Sequence, residues 1–291
     1  MNFSCILAAL LFFIGNLVII IYYAIEYNRE HYDYDEWKTL DPNYVKEEWQ
    51  WRVDNRAPHM AAGILTTMGW FFFAFPMLQL TWVLSGQGQR MVGLHVMLAV
   101  LILAGCFTEF ISRFMHFGSN LATEKLVNDF NLESWRSNND ELGWRTLELV
   151  HIVTQGMVWF VDAFEWLALF FIMLFVHISA RSSQQGFALG GCWSYMALFI
   201  SLFSLLDFVA EVLRLDGFRT FGQIAFWYAA VNRLVFLPVW LVLLARSLPV
   251  VSSEKSLMEA MANQANGGAQ PPQPQQQQEQ EGAGGENFTI G

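Results

Sequence analysis

The stretch LAALLFFIGNLVIII, Leu7–Ile21, carries a single polar side chain, Asn16. Wound into an α-helix it has no polar face, and neither has LALFFIMLFV, Leu167–Val176. A helix that is apolar all round needs lipid or other helices on every side. The whole chain has the same bias. It is 54% hydrophobic and 16% aromatic but only 14% charged, where soluble domains carry about 25% charged residues.

The apolar residues fall into six blocks: Phe3–Ile25, Met60–Leu84, Val92–Met115, Leu149–Ile178, Leu189–Leu213 and Ile224–Ser247. Each is long enough to cross a bilayer, which takes roughly 20 helical residues. The alternating strands of about ten residues that a membrane β-barrel requires do not occur. The first block lacks a basic leader, and YYAIEYNRE is not a small-residue cleavage site, so it reads as a retained helix rather than a signal peptide. The expected fold class is an all-α polytopic transmembrane helical bundle. Residues 1–250 form the helical domain, and 251–291 form a Gln/Pro/Gly-rich tail expected to be disordered. The segment NGGAQPPQPQQQQEQEGAGGEN has too little apolar surface to offset its ordering entropy. EKSLMEAMANQ, just before it, has the composition of a marginal helix.

Two links are long, Glu26–His59 and Phe117–Glu148, and both are acidic and rich in Trp and Tyr. In DPNYVKEEWQWRV, Asp41 suits a helix cap and Pro42 a first helical position. Tyr44, Val45 and Trp49 would then lie along the bilayer interface. LATEKLVNDFNLESW offers Leu121, Leu126, Phe130 and Trp135 for a similar role. A plain count of Lys and Arg places the long links in the cytoplasm. Those links hold still more acid, however, whereas Arg90, Arg181 and Arg246 flank the short links without acids beside them. On that ground the termini are assigned to the cytoplasm and the protein to an integral membrane of a eukaryotic cell. Cys5, Cys106 and Cys192 all fall inside spans and read as packing residues, not disulfide partners.

Charges inside the spans are the remaining signal. A charge in hydrocarbon costs at least about 2.5–3.5 kcal/mol on insertion scales, so such residues face partners or water. TEFISRFMHFG, Thr108–Gly118, closes the third block with Glu109 and Arg113 one turn apart, placed to pair. Asp162 and Glu165 lie deep in WFVDAFEWLALFF. Asp207, Asn232 and Arg233 follow in the fifth and sixth blocks. Measured at about 1.5 Å per residue, these positions converge in one half of the bundle. The candidate intramembrane polar cluster is therefore Glu109, Arg113, Asp162, Glu165, Asp207, Asn232 and Arg233, with Arg233 neutralising Asp162 directly or through Glu165. The third and fifth blocks also align without gaps. Gly93 meets Gly191, Ala99 meets Ala197, Ile102 meets Ile200, and Glu109-Phe110 meets Asp207-Phe208. That pattern suggests a duplicated hairpin, a device common in transporter folds.

Several functions are disfavoured. No lysine lies in a span, so no retinal-type Schiff base is expected. The fifth and sixth blocks lack histidine, against a bundle holding haem by histidine pairs. His59, His116, His151 and His177 lie near block ends, where a solvated or interfacial role is expected. HExxH, GxSxG, Walker and EF-hand patterns do not occur. No catalytic, cofactor or metal residues are assigned, and the net charge of −10 opposes nucleic-acid binding. The expected partners are the lipid bilayer and other membrane subunits. Three functions fit: a channel or carrier for protons, ions or a small polar solute; a scaffold or receptor-like subunit whose buried charges are structural; and a lipid-modifying enzyme with paired carboxylates at the interface.

The only Asn-x-Ser/Thr sequons are Asn2-Phe3-Ser4 and Asn287-Phe288-Thr289, on the side of the termini. With cytoplasmic termini neither is glycosylated. Protein made in a glycosylating host should show no glycosidase-sensitive mass shift, and a shift abolished by Asn287→Gln reverses the orientation.

Overall fold

The computed structural model describes residues 2–27, 53–85, 92–129, 141–182, 191–215 and 219–267. Helices are α1 (Phe3–Tyr27), α2 (Arg56–Leu84), α3 (Val92–Asp129), α4 (Glu141–Ser182), α5 (Gly191–Leu215), α6 (Arg219–Val231) and α7 (Leu237–Gly267). A π-helical turn, Asn232–Phe236, joins the last two. No strand occurs among the described residues. Six helices are long and apolar enough to cross a membrane, the sixth window running Ile224–Ser253 through the π turn. This is the expected all-α bundle. The chain divides into two compact units, Met1–Lys255 and Ser256–Gly291. The described residues of the second are helical.

Some boundaries move. α3 runs on to Asp129 and α4 starts at Glu141, so the second long link shrinks to 130–140. Much of LATEKLVNDFNLESW is thus a continuation of the spanning helix, not a separate interfacial one. Leu, Ala, Glu and Lys there are good helix formers, and Arg56 of α2 ties the extension down through Glu124. The last helix passes Val251, where the tail was expected to begin, and continues to Gly267. Leu248 and Val251, at that boundary, are buried in the core. The segments 28–52 and 268–291, with the interfacial helix and the disorder expected for them, lie outside the described residues.

Each span packs on its neighbour in sequence, and α1 packs on the π turn of the sixth span, closing a ring. Between lipid-solvated helices the hydrophobic effect gives little drive. Close packing of small residues and interhelical hydrogen bonds take over. The α1–α2 seam shows this. Cys5, Ala8, Ala9, Phe12, Gly15 and Asn16 form its α1 face at helical spacing and are all buried. Gly15 lies against Thr66, and Gly69 faces the Phe12 ring. That ring meets Trp70 and Phe73 edge-on, at centroid distances of 5.4 and 6.1 Å. At the α1 start, Asn2 donates its backbone N–H to Ala245 O and its amide to Gln79 Oε1. Gln79 in turn donates to Ser252.

The opposite faces of the helices are also apolar. On α3, Val96, Val100, Leu103, Phe107, Ile111 and Phe114 are exposed at helical spacing, which suits contact with acyl chains. Buried hydroxyls return to their own helix: Thr67 and Thr81 donate to the carbonyls of Gly63 and Met77 at 2.8 Å. The π turn has a local cause in Pro238. With no N–H, Pro238 cannot donate to Leu234, and its ring crowds that carbonyl. Leu237 bonds one residue further back instead, to Asn232 O.

A Cβ on Gly15 would come within 2.9 Å of Thr66 Cγ2 and 3.0 Å of Thr66 N, whereas one on Gly93 would meet nothing within 4 Å. The first contact involves backbone and forces the helices apart. Gly15→Ala should lower the unfolding free energy in micelles by about 1–3 kcal/mol, the usual cost of overpacking, and Gly93→Ala should leave it unchanged.

Candidate functional site: a buried carboxylate–arginine cluster

Three helical segments, α3, α4 and the sixth span, deliver the charges to a similar level. Counted from the short-link end of each span, Glu109 lies about 24 Å along α3, Glu165 about 26 Å along α4 and Arg233 about 30 Å along the sixth span. In a hydrocarbon layer about 30 Å thick they occupy the part nearest the long links. Helix rise brings them to a similar height once neighbouring spans alternate in direction, and helix rotation decides which of them meet.

Glu109 and Arg113 pair across one turn of α3, Arg113 Nε donating to Glu109 Oε1 at 2.8 Å. Both are buried in the bundle: Glu109 is 0% exposed and the Arg113 side chain 12%. Arg233, in the π turn, donates from a terminal guanidinium nitrogen to Glu165 Oε1 at 2.7 Å. Its guanidinium also lies 4.4 Å from the centroid of the Trp166 ring, where the ring quadrupole attracts a cation. Asp162 accepts a 2.5 Å hydrogen bond from Ser112 Oγ. Glu109, Asp162 and Glu165 each offer an oxygen, all within 4.8 Å of one another.

Of the residues expected to cluster, the structure thus brings together Glu109, Arg113, Asp162, Glu165 and Arg233. Asn232 is buried beside Arg233 in the chain and donates to Ser204 Oγ of α5 at 3.0 Å. Asp207 is also fully buried, one turn beyond Ser204 on the same helix. Arg233 pairs with Glu165, not with Asp162. Asp162 is held by a hydroxyl, because Ser112 rises from the same α3 face that carries Glu109 and Arg113. Ser112 and Trp166 were not singled out in the sequence. The available signal was spacing: Ser112 is three residues from Glu109, and Trp166 adjoins Glu165. The aligned positions Ile102 and Ile200, Glu109 and Asp207, and Ser112 and Ala210 are all buried.

The cluster holds three carboxylates against two guanidiniums, one formal negative charge in excess. Two carboxylates 4.8 Å apart repel by roughly 3.5 kcal/mol at an effective dielectric of 20. Glu109 Oε2 and Glu165 Oε2 are buried without a hydrogen-bond partner, as is Asn232 Oδ1. Such atoms lose hydration and regain nothing. The three carboxylate oxygens have the chemistry of a hard-cation site. Two arginines already occupy it, however, and would repel a divalent ion. One excess charge with two open oxygens matches a proton or a monovalent cation.

A ring of six membrane-length helices around a buried acid–arginine cluster defines the class: a polytopic helical bundle with a polar centre. No protein-family model, characterised protein or solved structure matches the chain.

Arg233→Leu should destabilise strongly, by about 3–5 kcal/mol, because it leaves Glu165 buried and unpaired. Adding Glu165→Leu should recover much of that loss, since replacing both partners of a buried pair by apolar groups is often nearly neutral. Chemical unfolding of both single variants and the double variant in micelles measures this. Additive losses would show that the two side chains are not coupled.

Proposed function

We propose that the protein is a proton channel or proton-coupled carrier, and that the Glu109–Asp162–Glu165 group is its proton-binding site. The observation behind this reading is the excess carboxylate with two open oxygens. Glu109 Oε2 and Glu165 Oε2 are both buried and without partners. A proton placed between them removes the excess charge and satisfies both atoms. Arg113 and Arg233, paired with Glu109 and Glu165, then serve as fixed counter-charges, so that one proton is exchanged at a time. The π turn supports the reading, since such turns are frequent at functional sites. It lets the segment carrying Arg233 move without breaking the flanking helices.

The scaffold reading has its own support, because every charge in the cluster already has one partner: Arg113 on Glu109, Arg233 on Glu165 and Ser112 on Asp162. A lipid-modifying enzyme would present its carboxylate pair at the headgroups, whereas Glu109 and Glu165 are buried.

Purified protein in potassium-loaded vesicles with valinomycin should dissipate an imposed pH gradient, read by an internal dye. Glu165→Gln, which retains size and removes the charge, should slow that flux by about tenfold or more, the usual scale for losing a proton-transfer group. A folded wild-type protein that passes no protons, alone or with a gradient of candidate solutes, supports the scaffold reading instead.

A further inference from the structure

At the long-link end of the α2–α3 seam lies a second polar constellation, separate from the acid cluster. His59 of α2 and His116 of α3 meet with their Nε2 atoms in direct contact. Their rings are tilted at 41° with centroids 4.5 Å apart. The sequence suggested solvated or interfacial histidines, but both side chains are half-buried against each other. One turn beyond His116 on the same face is Asn120, 4% exposed, whose side-chain oxygen has no hydrogen-bond partner.

The neighbouring charges are already matched. Arg56, one turn before His59, pairs with Glu124, one turn after Asn120. Arg113, one turn before His116, pairs with Glu109. The α3 face toward α2 therefore reads Arg113, His116, Phe117, Asn120, Glu124, with the Phe117 ring packed against Gly63. The His59–His116 contact and the buried Asn120 oxygen lie between these two ion pairs.

We infer that His59, His116 and Asn120 form a binding site for a borderline divalent transition cation of the Zn²⁺ class, clamping α2 to α3. Imidazole nitrogen suits such ions, while Mg²⁺ and Ca²⁺ prefer oxygen cages. With each ring protonated on Nδ1, both Nε2 atoms offer a lone pair. At Zn–N bonds of about 2.0–2.1 Å, a tetrahedral site sets the two nitrogens about 3.3 Å apart, which needs only a small parting of the rings. The Asn120 oxygen supplies a third donor and gains the partner it lacks. Water would complete the fourth position. The link Glu26–His59 carries more acids than bases, and that raises the local concentration of cations at this end.

The test uses the full-length chain freed of any histidine tag, in micelles, with Zn²⁺ as the probe and Mg²⁺ as the control. One saturable equivalent of Zn²⁺ should bind, unaffected by Mg²⁺ in large excess. It should raise the unfolding temperature, and a chelator should reverse the rise. His59→Gln and His116→Gln should each weaken binding by about tenfold or more, and Asn120→Ala should weaken it less. His59→Cys combined with His116→Cys replaces two donors by two donors and should retain binding, which separates ligand loss from misfolding. The site is overturned if folded wild-type protein shows no saturable Zn²⁺ equivalent. It is equally overturned if both Gln variants bind as wild type does, or if the folded double-Cys variant does not bind at all.

Discussion

Hydrocarbon offers a peptide group no water to bond with, so every backbone N–H and C=O in a span must be satisfied within the protein. The rest of the structure follows from that constraint. It makes each apolar block a helix, and it makes the exposed flank of α3, from Val96 to Phe114, as apolar as the core. It also explains why departures from helix are confined and compensated. Pro238 removes one donor, and the bonding shifts by a residue into a π turn instead of opening a gap. The hydroxyls of Thr66, Thr67, Thr81 and Ser204 donate to carbonyls of their own helices for the same reason.

Once helices are obligatory, their association depends on how closely they approach. The α1–α2 seam works through absence of side chain, with Gly15 admitting Thr66 and Gly69 admitting Phe12. The buried charges work in the opposite sense. Each is expensive in lipid, and each becomes tolerable only when spans bring partners from different parts of the chain. Arg233 reaches Glu165, and Asp162 reaches Ser112. These contacts fix how α3, α4 and the sixth span face one another, because rotating any of these three would strand a charge. The same geometry leaves one carboxylate in excess. A purely structural network would more economically be neutral, and this is why the cluster is read as a site for an exchangeable proton.

The amino-acid sequence by itself determined the helical class, the number of spans and the pairing of Glu109 with Arg113, because all three depend on local properties: hydropathy summed over a span and spacing along one helix. Rise per residue also placed the intramembrane charges at a common depth. It did not determine which acid Arg233 engages. That choice turns on helix rotation, and rotation in the sixth span is altered by the π turn, which shifts everything beyond it by about 100° per extra residue. The role of Ser112 was not fixed by its spacing from Glu109, for a related reason. A serine in a span is ordinarily bonded to its own helix, and only the packing of α4 against α3 gave it Asp162. The histidines make the contrast plainest. His59 and His116 are far apart in sequence and near block ends, so each alone reads as interfacial. Tertiary structure decided that their Nε2 atoms face each other, because α2 and α3 run antiparallel and the bare Gly63 admits the Phe117 ring of α3 beside them.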